Sequence, residues 1–319
     1  MYQEWLEKAL VQYDMQGAEA QLIRHNENMT FQVAEDYLLR IHKHADVIKT
    51  DSLYEGLDRL QIYKEELAFL AYLKNRGMEV QVPVRNKAGE LVSMLTDTVP
   101  ATMLSWIPGH AIEKSEVTPK LCYEIGEMVG RLHCSSQGFY AENVLRYDDA
   151  LCERLKYKLS QAVDRGDLDK NHTRVMTAAL DTIAEEMKRA RGSAIMVHAD
   201  LSLSNILITE SGLVPIDFSL LGYGHPMMDI GELYCNINGV ENRAAIAKGY
   251  QKAGKTIDFH ALDCCFALNI LLGIVLHCDS WANEEWFANR MVRWCSETFG
   301  PLGEGKPLIS PEFRMLNVK

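Results

Sequence analysis

Positive charge is scarce in this chain: 33 Lys and Arg stand against 44 Asp and Glu, for a net charge of −11. Nonspecific nucleic-acid binding needs clustered Lys and Arg, so a nucleic-acid partner is not expected. The acidic balance is compatible with a cationic small molecule or with plain solubility. Also missing is any CxxC pair or small-domain cysteine spacing. The eight cysteines (Cys122, Cys134, Cys152, Cys235, Cys264, Cys265, Cys278, Cys295) are scattered through apolar segments. They read as reduced core thiols of a cytoplasmic protein, not as a disulfide framework. No H-x-x-x-H or Cys/His ligand spacing occurs, which argues against a zinc site. The longest apolar run, Cys264–Leu276, is 13 residues and interrupted by Asn269, too short to span a bilayer. The opening MYQEWLEKAL is acidic and amphipathic and lacks the basic region and apolar run of a signal peptide. No membrane partner is expected. There is no internal repeat, low-complexity tract or Pro/Gly-rich linker.

What is present is an ordered succession of patterns. At 319 residues the chain can bury a sizeable core and divide into two lobes. Trp5, Leu6, Leu10 and Tyr13 predict a helix over 2–14. Three short β patterns follow at Glu19–Arg24, Thr30–Ala34 and Tyr37–His42, the last two joined by a Glu35-Asp36 turn. Ser52–Lys74 reads as a helix that stops at Asn75-Arg76-Gly77. Val80–Val84 and Leu91–Leu95 are expected to pair around Asn86–Gly89, and Thr98–Leu104 adds a strand. After Pro108-Gly109 the pattern turns helical. Thr118 is an N-cap before Pro119, helical segments fall near 148–163 and 173–190, and Asp258–His277 is the most buried helix. The expectation is an α+β chain: a sheet-rich lobe over 1–104, then a mainly helical lobe over 105–319.

The chemistry concentrates between Met196 and Glu232. Asp200 sits two residues after His198, Asn205 follows five later, and Asp217 comes twelve after that, with hydrophobic residues flanking both carboxylates. Phosphoryl transfer from a nucleotide needs this set: a carboxylate to orient a hydroxyl and accept its proton, with an Asn and an Asp to hold Mg²⁺. The bare alternative is a pair of strand-end carboxylates with Asn205 in a turn.

The segment reads H-A-D-L-S-L-S-N, then Ile216-Asp217-Phe218-Ser219, Gly222-Tyr223-Gly224-His225-Pro226 and Asp229-Ile230-Gly231. It resembles the aminoglycoside phosphotransferase and choline kinase group, whose loop typically reads HGDLHPGN and continues IDFxxAGYGPPxxDLA. The resemblance covers roughly Ala20 to Gly254. It implies a protein-kinase-like two-lobed fold, with a small antiparallel sheet and one long helix in the N-lobe and a mainly helical C-lobe. It further implies Mg²⁺, and ATP or GTP as co-substrate.

Carried over residue by residue, the resemblance makes Asp200 the base, Asn205 and Asp217 the metal ligands, and His198 and Asp229 braces of the catalytic loop. His198 as base or metal ligand is the rival assignment. Arg40 in Tyr37–His42 takes the phosphate-contacting position and Glu66 pairs with it; guanidinium suits bidentate phosphate contact. Lys43 is the rival to Arg40, on the opposite strand face. The phosphate turn His25-Asn26-Glu27-Asn28-Met29-Thr30 has no glycine, leaving Asn28 and its neighbours to bring backbone amides to phosphate, or to form an ordinary hairpin loop. The connector Met103–Gly109 implies that the Ser105 carbonyl and Ile107 amide meet the purine edge, with Leu38 in the adenine roof.

For the acceptor, Asp279, Trp281, Glu284, Glu285 and Trp286 combine aromatic faces with carboxylates, a set able to hold an ammonium group. The alternative is a surface helix–loop–helix with its Trp residues packed inward. The expected activity is transfer of the γ-phosphate of ATP or GTP to a hydroxyl of a small acceptor that can carry positive charge: an amino alcohol, sugar, amino acid or aminoglycoside. A nucleotide-binding regulator without transfer is the alternative, disfavoured by the intact D…N…D set. A protein kinase is a third, disfavoured by the missing glycine loop, D-F-G glycine and A-P-E segment.

Overall fold

The computed structural model describes residues 2–25, 28–43 and 53–309. They form two compact units: 1–110 with 139–144 and 207–219, and 111–138 with 145–206 and 220–319. The first unit thus runs past residue 104 and recruits the segment that carries Asp217.

In the first unit, α1 (Tyr2–Gln12) precedes β1 (Ala20–His25), β2 (Met29–Val33) and β3 (Tyr37–Ile41). After α2 (Arg59–Asn75) come β4 (Pro83–Val84), β5 (Val92–Met94) and β6 (Pro100–Ser105). The sheet order is β1-β2-β3-β6-β4, with β5 also on β6, and every pairing is antiparallel. Ala9, Leu10 and Tyr13 of the N-terminal segment pack with Phe31, Val33, Leu39, Ile41 and Met103 of the sheet in one core.

Three local expectations are corrected. The long helix begins at Arg59 because Gly56 takes φ +82 and the Asp58 side chain caps the amides of Leu60 and Gln61. Ser52, its expected start, lies outside the described residues, as do Asn26 and Glu27 of the phosphate turn. Second, β4 and β5 pair with β6 instead of with each other; Pro83, which lacks an amide donor, opens a strand of only two residues. Third, the apolar segment around Cys264–Leu276 belongs to a helix of 23 residues, Phe259–Trp281, long and apolar enough by composition to cross a membrane. It is a core helix here: 61% of its most apolar window is buried.

In the second unit the helices of ten residues or more are α3 (Pro119–Ser135), α4 (Asp149–Arg165), α5 (Lys170–Arg189), α6 (Met227–Asn236), α7 (Val240–Lys252), α8 (Phe259–Trp281) and α9 (Glu285–Trp294). Gly126 of α3 and Gly249 of α7 let these two backbones touch, since a Cβ at either would run into the other helix. A small sheet joins Gly222–Gly224 to Leu145–Tyr147 and Ile195–Val197, and the last of these strands delivers the chain to His198. All eight cysteines are unpaired.

Candidate active site

In the first unit, strand alternation turns Arg40 inward while Lys43 is exposed. Arg40 is 4% exposed, and its Nη2 donates to Glu66 Oε1 at 2.9 Å. Glu66 reaches it because it shares an inward helical stripe with Ile62 and Leu70. Burial by itself would lower the Arg40 pKa, but the Glu66 and Asp217 charges outweigh it and hold the guanidinium charged. Its Nε is buried without a hydrogen-bond partner.

Asp217 stands 3.9 Å from Arg40 Nη1. Its φ of +63 is left-handed, a conformation Asp tolerates better than most residues. The next residue, Phe218, is buried edge-on against Phe69 of α2 at 6.0 Å, and the Ser219 carbonyl accepts from the Tyr54 hydroxyl at 2.9 Å. Asp217 is thereby fixed from its C-terminal side. Arg24, at the end of β1, donates from Nη2 to Asp217 Oδ2 at 2.6 Å. Sequence reasoning passed over Arg24; its signal was a basic residue at a strand end beside the phosphate turn.

The remaining nucleotide-side candidates fall on the same sheet. Leu38 lies opposite Leu104. The Ser105 carbonyl already accepts from Gln81 Nε2 at 3.3 Å, whereas the Ile107 amide meets no acceptor among the described residues. Asn28 engages His42 through its Oδ1, at 2.8 Å from Nδ1.

In the second unit, the Asn205 side-chain amide donates to both the backbone carbonyl and Oδ2 of Asp200, each at 2.9 Å. That leaves the Asn205 side-chain oxygen for another partner. The Asp200 amide donates to His198 Nδ1 at 3.3 Å, so His198 is engaged with the loop backbone. Asp229, fully buried near the start of α6, accepts from the His198 amide at 3.1 Å and the Ala199 amide at 2.7 Å. Ala199 takes φ +61 between them. His133 Nε2 donates to Asp229 at 2.8 Å, and its Nδ1 pairs with the Tyr250 hydroxyl at 2.8 Å. Burial alone would raise the Asp229 pKa; the His133 hydrogen bond and charge, with help from the loop, reverse it and hold the carboxyl below its ordinary value. His133 and Tyr250 were not found from sequence, where His133 shows only as a histidine on an apolar helical stripe.

Of the five acceptor-side candidates, Trp281 lines a cavity of about 700 Å³ in the second unit. Trp286 is 43% exposed and packs edge-on against Trp281 at 5.1 Å. Glu284 and Glu285 are exposed, and Asp279 accepts from the Ser280 amide; none of the three lines the cavity.

The donors fit Mg²⁺, a hard cation that takes one or two protein oxygens and completes its shell with water and substrate phosphates. Asp217 offers a carboxylate and Asn205 an amide oxygen. No cluster of three or more His, Cys, Asp or Glu able to cage a metal occurs among the described residues.

Residues 19–263 match the model of a phosphotransferase enzyme family. A homoserine kinase of Gluconobacter oxydans is 26% identical over 160 residues, 48% of each chain. The chain spans about half the length of the curated homoserine kinases it matches. A solved amicoumacin kinase in complex with AMP-PNP, Ca²⁺ and Ami aligns with a TM-score of 0.74 at 17% identity, covering 98% of this chain and 96% of that one. A microcompartment-associated aminopropanol kinase aligns with a TM-score of 0.69 at 20% identity, covering 98% of both. The α+β, kinase-like fold expected from the sequence is the fold these structures share with the chain.

Proposed function

Because the chain belongs to the phosphotransferase enzyme family, we propose that it is a small-molecule kinase moving the γ-phosphate of ATP or GTP to a hydroxyl of a small acceptor. The observation that supports this best is Asp200: its carboxylate is oriented by Asn205, on a loop whose amides are held by buried Asp229. In this reading Asp200 accepts the acceptor's proton as its oxygen bonds to the γ-phosphorus. The bond from that phosphorus to the bridging oxygen breaks, and the nucleoside diphosphate leaves with the electron pair. Mg²⁺, when bound, neutralises the phosphates; Asp217 and Asn205 are the residues that would hold it. In this reading Arg40, kept charged by Glu66, is a phosphate contact of the first unit, and the Ile107 amide is free to meet a purine. The nucleotide and metal in this reading have support in the amicoumacin kinase solved with AMP-PNP and Ca²⁺.

The test is ADP or GDP release from Mg-nucleotide, measured with pools of amino alcohols, amino acids, sugars, aminoglycosides and peptides. Release that depends on an acceptor pool and on Asp200 is expected. Nucleotide binding without transfer to any pool would favour a regulator, and transfer to peptides alone a protein kinase.

A further inference from the structure

The cavity of about 700 Å³ in the second unit lies within the size range of small-molecule sites. Trp281, Trp294 and Phe266 supply its aromatic wall. Its charged groups are unevenly matched. Arg243 is half-buried and grips backbone carbonyls, with Nε to Ile237 at 2.9 Å and Nη2 to Tyr234 at 2.5 Å. It meets no carboxylate among the described residues. Arg290 likewise has only the Trp294 ring, 5.8 Å away. Among the lining arginines, Arg293 alone is paired, to Glu297 at 2.8 Å. Glu232, an acidic residue of the same lining, has no basic partner among the described residues, only the Asn236 side-chain amide at 2.8 Å. Burial, aided by the Asp229 charge, raises its carboxyl above the ordinary range, and burial lowers Arg243. Both groups lack a counter-charge that a ligand could supply.

Two of the unmatched charges touch α6: Glu232 stands on it, and Arg243, on α7, donates to its Tyr234 carbonyl. Glu232 and the Tyr234 carbonyl that Arg243 holds are two residues apart on α6, about 3 Å of rise. The same helix carries Asp229, one turn before Glu232, which fixes the backbone leading into Asp200. Asn269, another cavity residue, donates to the Met228 carbonyl at 3.0 Å. One turn of α6 therefore serves both the loop and the cavity wall.

Resting on the kinase reading above, we propose that this cavity is the acceptor site and that it takes a hydroxyl-bearing amino acid as a zwitterion, its carboxylate on Arg243 with Arg290 and its ammonium on Glu232. The aromatic wall leaves room for a substituent on that amino acid. This replaces the set Asp279, Glu284 and Glu285 with Glu232 as the ammonium partner and adds an anion subsite to it.

Three matched pairs differing only in the carboxylate test it: L-homoserine against 3-aminopropan-1-ol, L-threonine against 1-aminopropan-2-ol, and β-phenylserine against 2-amino-1-phenylethanol. The best acid should exceed its amine in kcat/KM by roughly ten- to a hundredfold, the scale of a hydrogen bond to a charged group. Arg243→Gln and Arg290→Ala should erode that preference by weakening the acid alone, whereas Glu232→Gln should weaken acid and amine alike. An amine used as well as its acid, or arginine variants that lower both members equally, overturns the proposal and leaves the kinase reading standing. If none of the six elicits Asp200-dependent ADP release while a sugar or aminoglycoside pool does, the proposal is overturned and the kinase reading stands; if no pool does, the kinase reading fails instead. Thermal shift by the three acids against the three amines, without nucleotide, then still decides the cavity: stabilisation by an acid alone and its loss in Arg243→Gln supports the zwitterion site, and equal or absent shifts overturn it.

Discussion

Asp229 and Asp217 are both carboxylates set among apolar residues, yet they live in different surroundings. Asp229 is fully buried, and its two oxygens take a histidine and two backbone amides at 2.7–3.1 Å. Asp217 retains 20% side-chain exposure and takes two guanidinium groups, exposed Arg24 at 2.6 Å and buried Arg40 at 3.9 Å. The first arrangement is closed: two bonds fix loop backbone, the third holds the buried His133 ring, and full burial leaves no face for a ligand. The second is built of charges whose partners can be exchanged, and it includes a buried Arg40 Nε without any acceptor. A brace and an exchange site thus use the same side chain, and the difference lies in burial and in the loop amides that Asp229 holds.

The comparison breaks most sharply at the loop that Asp229 holds. Asp200→Ala should cut acceptor-dependent turnover by about 10²–10⁴, the usual cost of losing a general base, with nucleotide affinity nearly unchanged. Steady-state rates beside a nucleotide titration check this; weakened nucleotide binding with normal turnover would reverse the roles. Next in size is Asp229→Ala, which leaves His133 Nε2 and two loop amides unpaired. Breaking such a buried set costs about 3–5 kcal/mol, readable as a lowered denaturation midpoint. The acid side sharpens the point. The Asp229 carboxyl is held below its unfolded value, so its stabilisation is complete above about pH 4 and is lost as pH falls through the lower folded value. Asp229→Asn should flatten the acid limb of the stability profile and leave the neutral range parallel.

The kinase-like order of elements was legible because it rests on patterns the backbone must obey: alternation in β1–β3, a capped α2, and the fixed spacing of His198, Asp200, Asn205 and Asp217. The Arg40–Glu66 contact was legible through the family likeness, since a lone Glu in a helix carries no such signal. Arg24, His133 and Tyr250 were not, because their partners lie far away in sequence and arise from tertiary packing. His133 and Asp229 are 96 positions apart. The acceptor side was read from a local cluster of Trp and carboxylates, but the cavity is lined from several helices at once, and only Trp281 of that cluster reaches it. Strand pairing of β4 and β5 was misread for a related reason: a turn suggests a hairpin, yet β6 offers both segments a better edge.

The exchange site can be tested in the same terms. Asp217→Ala should abolish the Mg²⁺-dependent stabilisation by ATP or GTP, which for the unaltered protein is about 2.7 kcal/mol at a hundredfold excess over Kd. The fold should survive, because Arg40 keeps Glu66 and Arg24 is exposed. A full Mg²⁺-dependent thermal shift in the variant would remove Asp217 from the metal site.

The smallest expected effect isolates what the brace does to the backbone. Ala199 is held at φ +61 with its amide bonded to Asp229 at 2.7 Å, a conformation that costs an L-residue roughly 1–2 kcal/mol. The resembling families place glycine here. Ala199→Gly relieves that strain but loosens the unfolded chain by about 0.4–1 kcal/mol, so the net gain should fall between zero and about 1.5 kcal/mol. For a chain of this size that is a rise in Tm of at most a few degrees. Ala199→Val should move the other way, since a branched side chain fits left-handed backbone poorly. Turnover in the glycine variant should stay near its starting value if Asp229, rather than the alanine methyl, sets the loop geometry. A glycine variant less stable than the unaltered protein, or one with turnover reduced tenfold, would mean that the methyl group itself positions Asp200 and that the brace is incomplete without it.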